Sequence, residues 1–392
     1  MLIFVFVADT AAGSSMQQIE LHIDGRAVSR IVGDGSPGGL SGLLAAEREV
    51  FLFHDRNVAW VADAVAAALP AAVFRGRRAL EATEGGKEMA TVLDICRWLM
   101  DAGASRRALL VAIGGGITTD LAGFAASIYK RGIRYANVPT TLLAQVDAGI
   151  GGKTGVNFLD YKNMLGVIVQ PVFTYICSGV LRTLPRRDVR SGVAELLKTF
   201  LIEDSDGNYA RAVRLFSSPE RDGDGEDRAR ELQALVFAAA AVKAGVVGRD
   251  PYESGERRRL NLGHTFAHAI EHNARLAGDD ITHGEAVSMG IILAARLSDR
   301  LAHQGGKNWC SACPDRAGCP RAEGMEARLR ADFAAAGLPV DCPYPLAALA
   351  GAMEKDKKAG GGKVRFQIPV AVGRVEEAEL DVADVINMLG TP

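Results

Sequence analysis

The chain has 392 residues, 48% apolar and 23% charged, longer than one hydrophobic core usually grows, so two globular domains are expected. Its 45 basic and 47 acidic side chains leave a net charge of -2, which supplies no global field for polyphosphate and excludes nucleic acid and anionic membrane as expected partners. The apolar leading run, Met1 to Ala8, has no basic residue ahead of it and falls far short of the roughly 20 residues of a membrane span, so a cytoplasmic protein is expected.

Positions 1–18 read as a flexible extension, small and polar from Asp9 to Gln18, with a first strand beginning near Ile19. From there to about residue 180, short β-branched runs alternate with Ala-rich helical stretches: Val50 to Phe53, Val58 to Leu69, Met89 to Ala102, Ala108 to Ile113. That rhythm predicts an α/β domain over residues 19–180. Tyr135 to Val138 is a further strand signal ending at Pro139, and Thr140 and Thr141 are natural caps for the next helix. Beyond residue 180 strand signals thin out. Glu231 to Gly248 and Gly284 to Leu301 carry apolar residues at helical spacing, which predicts a mainly α-helical domain over 181–392. Ser217 to Arg228 reads as a polar loop, and Gly360 to Gly362 as a turn before a strand, Val364 to Val372.

Six cysteines are too few and too unevenly spaced for a disulfide scaffold in a chain of this size. Cys96 and Cys177 sit in apolar surroundings and read as core residues. Cys310, Cys313 and Cys319 fall in an insertion near 305–320, with Cys342 further on. The C-x2-C start resembles a metal knuckle, yet no His completes it nearby. A structural metal site and a surface insertion with free or paired thiols both stay open.

Three segments carry chemistry. Gly114, Gly115 and Gly116 follow an apolar strand and open a helix, so their backbone N–H groups and the helix N-terminus suit a nucleotide pyrophosphate; a tight packing turn reads equally well. The second is Asp147-Ala-Gly-Ile-Gly-Gly-Lys153-Thr-Gly-Val-Asn157, with Lys162 and Asn163 close behind. A carboxylate, two ammonium groups and amides around a mobile small-residue backbone suit a small anionic substrate. The third joins Glu195 and Lys198, three apart on one helical face, to Asn261, His264, His268, His272 and His283. Four histidines within twenty residues, in a chain of only seven, point to a zinc-type centre with carboxylate and imidazole ligands. Spacing alone makes His264 and His268, one helical turn apart, the obvious ligand pair.

The strings Gly114-Gly-Gly-Ile-Thr-Thr-Asp-Leu-Ala-Gly-Phe124, Val138-Pro-Thr-Thr-Leu-Leu-Ala-Gln-Val-Asp147, Gly151-Gly-Lys-Thr-Gly-Val-Asn157, Ser191-Gly-Val-Ala-Glu195, Asn261-Leu-Gly-His-Thr-Phe266 and Asp356-Lys-Lys358 resemble the dehydroquinate synthases, across roughly residues 20 to 390. The resemblance implies an N-terminal NAD-binding α/β domain, a mainly α-helical C-terminal metal and substrate domain, an active site between them and a homodimer. It puts the metal, zinc or cobalt, on Glu195, His264 and His283, in place of the pair suggested by spacing, and leaves His268 to handle substrate or protons. NAD contacts fall on Asp55, Asn57, Glu84, Lys87, Gly115, Gly116, Asp120, Thr140, Thr141 and Thr183, with Lys153 and Lys162 also at the cofactor. Catalytic roles fall on Asp147, Lys153, Lys198, Asn261 and His268. Substrate binding falls on Lys162, Asn163, Lys243, Arg257 and Lys357, with Arg131 reaching in from the partner subunit. The chain departs from the family pattern at Thr119, where Gly is frequent, at Gly149, where Ser is, and in the segment Gly305 to Pro320.

The implied reaction turns a seven-carbon sugar phosphate, 3-deoxy-arabino-heptulosonate 7-phosphate, into 3-dehydroquinate by transient oxidation, β-elimination of phosphate, reduction and an intramolecular aldol step. Lys153, Lys198, Lys243, Arg257 and Lys357 supply the cations that a phosphate and a carboxylate need. Two rivals share the architecture: a sister cyclase acting on a sedoheptulose or glucose phosphate, and a metal-dependent polyol dehydrogenase. An uncharged polyol would leave the cationic cluster unpaired, which argues against the second.

Overall fold

Near-continuous apolar runs such as Val-Phe-Leu-Phe and Leu-Leu-Val-Ala-Ile are what a parallel sheet covered on both faces demands, and they form two adjacent interior strands of it here. The computed structural model describes residues 4–6, 16–34, 36–159, 161–218, 225–303, 324–357 and 363–390. Cys310, Cys313, Cys319, Gly360 to Gly362, Lys358, part of the expected loop 217–228 and most of the expected N-terminal extension lie outside the described residues. The chain divides into two units: Met1–Pro185 with Glu226–Tyr252, and Arg186–Gly225 with Glu253–Pro392.

The first unit runs β1 (Phe4–Phe6), β2 (Gln17–Ile23), β3 (Arg26–Gly33), α1 (Leu40–Leu44), β4 (Val50–Asp55), α2 (Ala59–Ala68), β5 (Phe74–Leu80), α3 (Met89–Asp101), β6 (Leu109–Gly114), α4 (Gly116–Ile128), β7 (Arg134–Pro139), β8 (Lys153–Phe158), β9 (Tyr161–Ile168) and β10 (Thr174–Ile176). Eight of these strands form one sheet in the order β1-β2-β3-β10-β7-β6-β4-β5. The pairs from β3 to β5 are parallel, while β1, β2 and β3 form an antiparallel meander at one edge. Alternation along the strands sends Leu52, Val111 and Ile113 to one face with Val61 and Val138, and Phe51, Phe53, Leu110 and Ala112 to the other with Val92, Ile95 and Leu121. From β4 the chain crosses to the edge strand β5, then returns to β6 on the other side of β4 and continues to β7 and β10. The winding therefore reverses between β4 and β6, and in such sheets the crevice for a ligand lies outside the carboxyl ends at that reversal.

Two features depart from the sequence expectation. Phe4–Phe6 pairs antiparallel with residues 17–19, so part of the leading segment joins the sheet. The long helix α7 (Gly225–Arg249) belongs with the first unit, not with the helices around it in sequence. Its Gln233 accepts a hydrogen bond from Ser178 N at 2.8 Å, and a Cβ at Gly248 would lie 2.8 Å from the His22 carbonyl oxygen, so the helix is seated against β2 and the turn after β10. It is long and apolar enough to cross a membrane by composition, but Leu235, Val236, Ala239, Ala240, Val246 and Val247 are buried, as in a core helix.

The second unit contains α5 (Arg186–Ile202), α6 (Asn208–Ser217), α8 (His264–Ala277), α9 (His283–His303), α10 (Met325–Ala335), α11 (Leu346–Lys357), the antiparallel pair β11 (Val364–Ala371) and β12 (Arg374–Leu380), and α12 (Val382–Gly390). Every residue of α5 from Ser191 to Ile202 is buried. Helix α9 lies against it so closely that a Cβ on Gly284 would sit 2.1 Å from the Ser191 carbonyl oxygen, and Gly284 N donates to Ser191 Oγ at 2.9 Å. Gly290 makes the matching approach, 2.3 Å, to the carbonyl oxygen of Gly263 just before α8. Glycine is required at these crossings because any side chain would push the helices apart.

Candidate functional site

In the first unit the reversal point gathers the residues expected at a nucleotide. Asp55 ends β4 and accepts a hydrogen bond from Asn57 N at 2.9 Å, which caps the short turn that follows. Gly115 caps α4 and Gly116 begins it, directly after β6. A Cβ on Gly115 would meet Thr141 Cγ2 at 3.0 Å, so the loops after β6 and β7 are in van der Waals contact. Thr140 N donates to Gly114 O at 2.9 Å, and Thr141 Oγ1 accepts from Ala144 N at 3.2 Å. The helix N-terminus at Gly116 thus faces the crevice with free backbone donors, as an anion site requires. Thr119, the first departure from the family pattern, turns its hydroxyl back to Gly116 O at 3.0 Å. Thr183 is exposed at the end of the turn after β10.

A polar cluster adjoins this edge. Buried Lys87 donates to Asp120 Oδ2 and to Asn163 Oδ1, each at 2.5 Å, while Glu84 Oε1 accepts from Asn157 Nδ2 at 2.8 Å. Burial raises the Asp120 carboxyl to about 6, and the Lys87 ammonium only partly offsets it. Asp147 lies in a π-helical turn, Ala144–Ala148, and accepts from Lys243 Nζ at 2.6 Å through its carboxylate and 2.7 Å through its carbonyl. The turn is fixed from below. Gln145 donates to Pro139 O and Cys177 O, and Asn137 and Thr174 both donate to Gly149 O.

The glycine-rich stretch expected to be a mobile loop is half strand. Lys153–Phe158 pairs antiparallel with Tyr161–Ile168, Gly155 opposite Gly166, where a Cβ on Gly155 would lie 2.6 Å from Leu165 O. Lys153 and Lys162 are exposed on this hairpin, and Asn163 takes a left-handed φ of 53° that turns its amide toward Lys87. Arg131, also left-handed at φ 67°, is exposed in the turn after α4.

The second unit holds the metal-like constellation. Glu195 on α5, His264 at the start of α8 and His283 at the start of α9 place one ligand atom each within 4.8 Å of one another. Oε1 of Glu195 lies 3.3 Å from His283 Nε2 and 3.7 Å from His264 Nε2, and Oε2 lies 2.5 Å from Lys198 Nζ. Glu195 is fully buried, yet neither of its oxygens receives a hydrogen bond of good geometry. Burial works against its charge, but Lys198, His283 and His264 outweigh it and hold the carboxyl well below its ordinary range. An ionised, poorly satisfied carboxylate facing two imidazole nitrogens fits a divalent cation, and this donor set leaves a coordination position open. Burial, with Lys198 second, pushes His264 down to about 3; burial also opposes charge on His283, but Glu195 and Glu271 more than offset it and carry it to about 10.

His268, the ligand favoured by spacing, is stacked edge-on to His264 with ring centroids 5.6 Å apart and is not in the trio. Asn261 Nδ2 donates to Glu253 Oε1 at 2.7 Å, Arg257 is buried in the turn before α8, and Lys357 ends α11 with its side chain outside the described part. Glu271 and Glu253 were not singled out from sequence. Glu271 could have been found, since it follows His264 by seven and His268 by three on one helical face.

A family model for the 3-dehydroquinate synthase N-terminal region matches residues 78–191, and one for the C-terminal region matches residues 192–359. The chain belongs to the 3-dehydroquinate synthase family. It is 40% identical over 311 residues to a 3-dehydroquinate synthase of Cereibacter sphaeroides strain KD131, covering 79% of this chain and 78% of the relative. It is 41% identical over 304 residues to one from Pyrococcus abyssi, covering 78% and 81%. Among solved structures, ValA, a 2-epi-5-epi-valiolone synthase from Streptomyces hygroscopicus with NAD+ and Zn2+ bound, is similar with TM-score 0.74 and 25% identity, covering 93% of this chain and 96% of that one. Family membership accounts for the α/β and helical units together.

Proposed function

We propose that the chain catalyses the 3-dehydroquinate synthase reaction, converting 3-deoxy-arabino-heptulosonate 7-phosphate to 3-dehydroquinate and phosphate with NAD and a divalent metal, zinc or cobalt. The observation that carries this is the Glu195, His264 and His283 trio, standing within 4.8 Å in a chain of this family. The NAD+ and Zn2+ of the ValA structure support the same cofactors here. When bound, NAD supplies a reversible hydride acceptor and the metal a Lewis acid for hydroxyl oxygens.

The residues would divide the work as follows. Glu195 Oε1 and the two Nε2 atoms hold the metal, while Lys198 keeps Glu195 ionised from its other oxygen. Asp55, Asn57, Glu84, Lys87, Gly115, Gly116, Asp120, Thr140, Thr141 and Thr183 would hold the dinucleotide, with the helix N-terminus at Gly116 suited to its phosphates. Lys153, Lys162, Lys243, Arg257 and Lys357 would pair with the substrate's phosphate and carboxylate, with Asn163, Asn261 and Asp147 as further polar contacts to it. Loss of phosphate is eased by cations beside the leaving oxygens. His268 holds or passes a proton. A homodimer, with Arg131 serving the partner's site, completes the reading.

The purified protein is incubated with 3-deoxy-arabino-heptulosonate 7-phosphate, catalytic NAD and zinc or cobalt, and phosphate and dehydroquinate are measured together. Equal release of both without accumulating NADH is expected. Phosphate only from a sedoheptulose or glucose phosphate would make the chain a sister cyclase, and steady NADH from a polyol a dehydrogenase.

A further inference from the structure

Each histidine of the trio faces Glu195 through Nε2, so what sits behind each Nδ1 decides which tautomer it presents. Behind His264 it is backbone: Nδ1 lies 3.2 Å from the Leu262 carbonyl oxygen, which accepts an N–H and leaves the Nε2 lone pair facing forward. Behind His283 it is a side chain. Glu271 Oε1 lies 3.3 Å from His283 Nδ1, and Glu271 is only 12% exposed. His283 has the greater need of such support, since it is 34% exposed, against 13% for His264.

We propose that Glu271 is a positioning residue for the metal centre. Its carboxylate accepts the Nδ1–H of His283, fixes the ring's tautomer and orientation, and so delivers Nε2 as a ligand. Its charge also matters. A divalent ion beside Lys198 and Glu195 alone would carry a local excess of two positive charges, and Glu271 reduces it to one. Outer partners of this kind change metal affinity by roughly 10- to 100-fold without touching the ion. The inference rests on the metal reading above and adds to it a residue that holds no ligand atom of its own.

The full-length protein, stripped with a chelator, is titrated with zinc in competition with a chromogenic chelator, and the visible spectrum of the cobalt form is recorded for the parent, Glu271→Gln and Glu271→Ala. Expected is an affinity loss of about 100-fold for Glu271→Ala and about 10-fold for Glu271→Gln, which keeps an acceptor but loses the charge. The cobalt spectrum should shift in both, while the stripped Glu271→Gln protein still unfolds in one cooperative transition. If Glu271→Ala does not fold, Glu271→Gln alone decides. A parent that binds zinc and variants that match it within twofold, with the same cobalt spectrum, would overturn the positioning role. A parent that binds no zinc would overturn the metal reading along with it.

Discussion

Replacing Glu195 by Gln preserves the side chain's shape and removes one charge, which makes it a sharp test of how the metal trio is held. Lys198 is 1% exposed and lies 2.5 Å from Glu195 Oε2, while His283, held protonated to about 10, lies 3.3 Å from Oε1. The variant therefore removes the carboxylate charge beside buried Lys198 and one of the two carboxylates beside the partly exposed His283. Breaking a buried pair by removing one partner costs about 3–5 kcal/mol. At about 2–4 °C per kcal/mol for a unit of this size, the chelator-stripped protein should melt roughly 6–20 °C lower. Lys198→Met should cost less, because Glu195 keeps the His283 imidazolium. The double variant should be more stable than the sum of the single losses by at least about 2 kcal/mol, since it removes both members of the pair. Denaturant unfolding of the four stripped proteins measures this cycle, and losses that add within about 0.5 kcal/mol would refute the pair as described.

Gly284→Ala should abolish tight zinc binding, because its Cβ would lie 2.1 Å from the Ser191 carbonyl oxygen and must drive α9, with His283, away from α5; metal content after dialysis checks it, and NAD binding should persist. Asp120 is raised from 3.8 to about 6, so the folded state binds the proton more tightly than the unfolded chain. Stability from this group is then absent above about pH 6, grows as pH falls through 6 and is complete below about 4. Between pH 7 and 4.5 the parent should gain about 2 kcal/mol relative to Asp120→Asn, and parallel pH profiles in denaturant unfolding would sink this. Lys243→Met should lower kcat about 100-fold or more while zinc affinity stays within threefold, because Lys243 holds Asp147 at 2.6 Å and has no part in the trio; steady-state phosphate release and zinc titration separate the two.

Local signals were enough for much of the fold. The runs that became β4 and β6 could be read directly, since a strand covered on both faces must be apolar throughout, and α9 shows its helical period plainly. The hairpin of β8 and β9 could not be read so, because Gly155 and Gly166 have low strand preference and become strand residues only where two backbones must approach within side-chain distance. Helix α7 misled by its place in the chain: its periodicity says helix, and only packing against Ser178 and His22 says which unit.

The candidate site divides in the same way. Residue types and motif strings by themselves determined that the chain carries a glycine-rich strand-to-helix turn, a cationic set for an anionic substrate and an imidazole–carboxylate group, along with its likeness to a family. Spacing did not say which histidines meet: the likeness to the family named Glu195, His264 and His283, and the tertiary structure shows how they come together. His264 and His268 are neighbours in sequence spacing, yet Glu195 meets His264 and His283, from three helices that converge because glycines at 263, 284 and 290 let backbones touch. Spacing reports neighbours along one helix, whereas a metal trio depends on where separate helices cross, and that is set by packing between residues far apart in the chain.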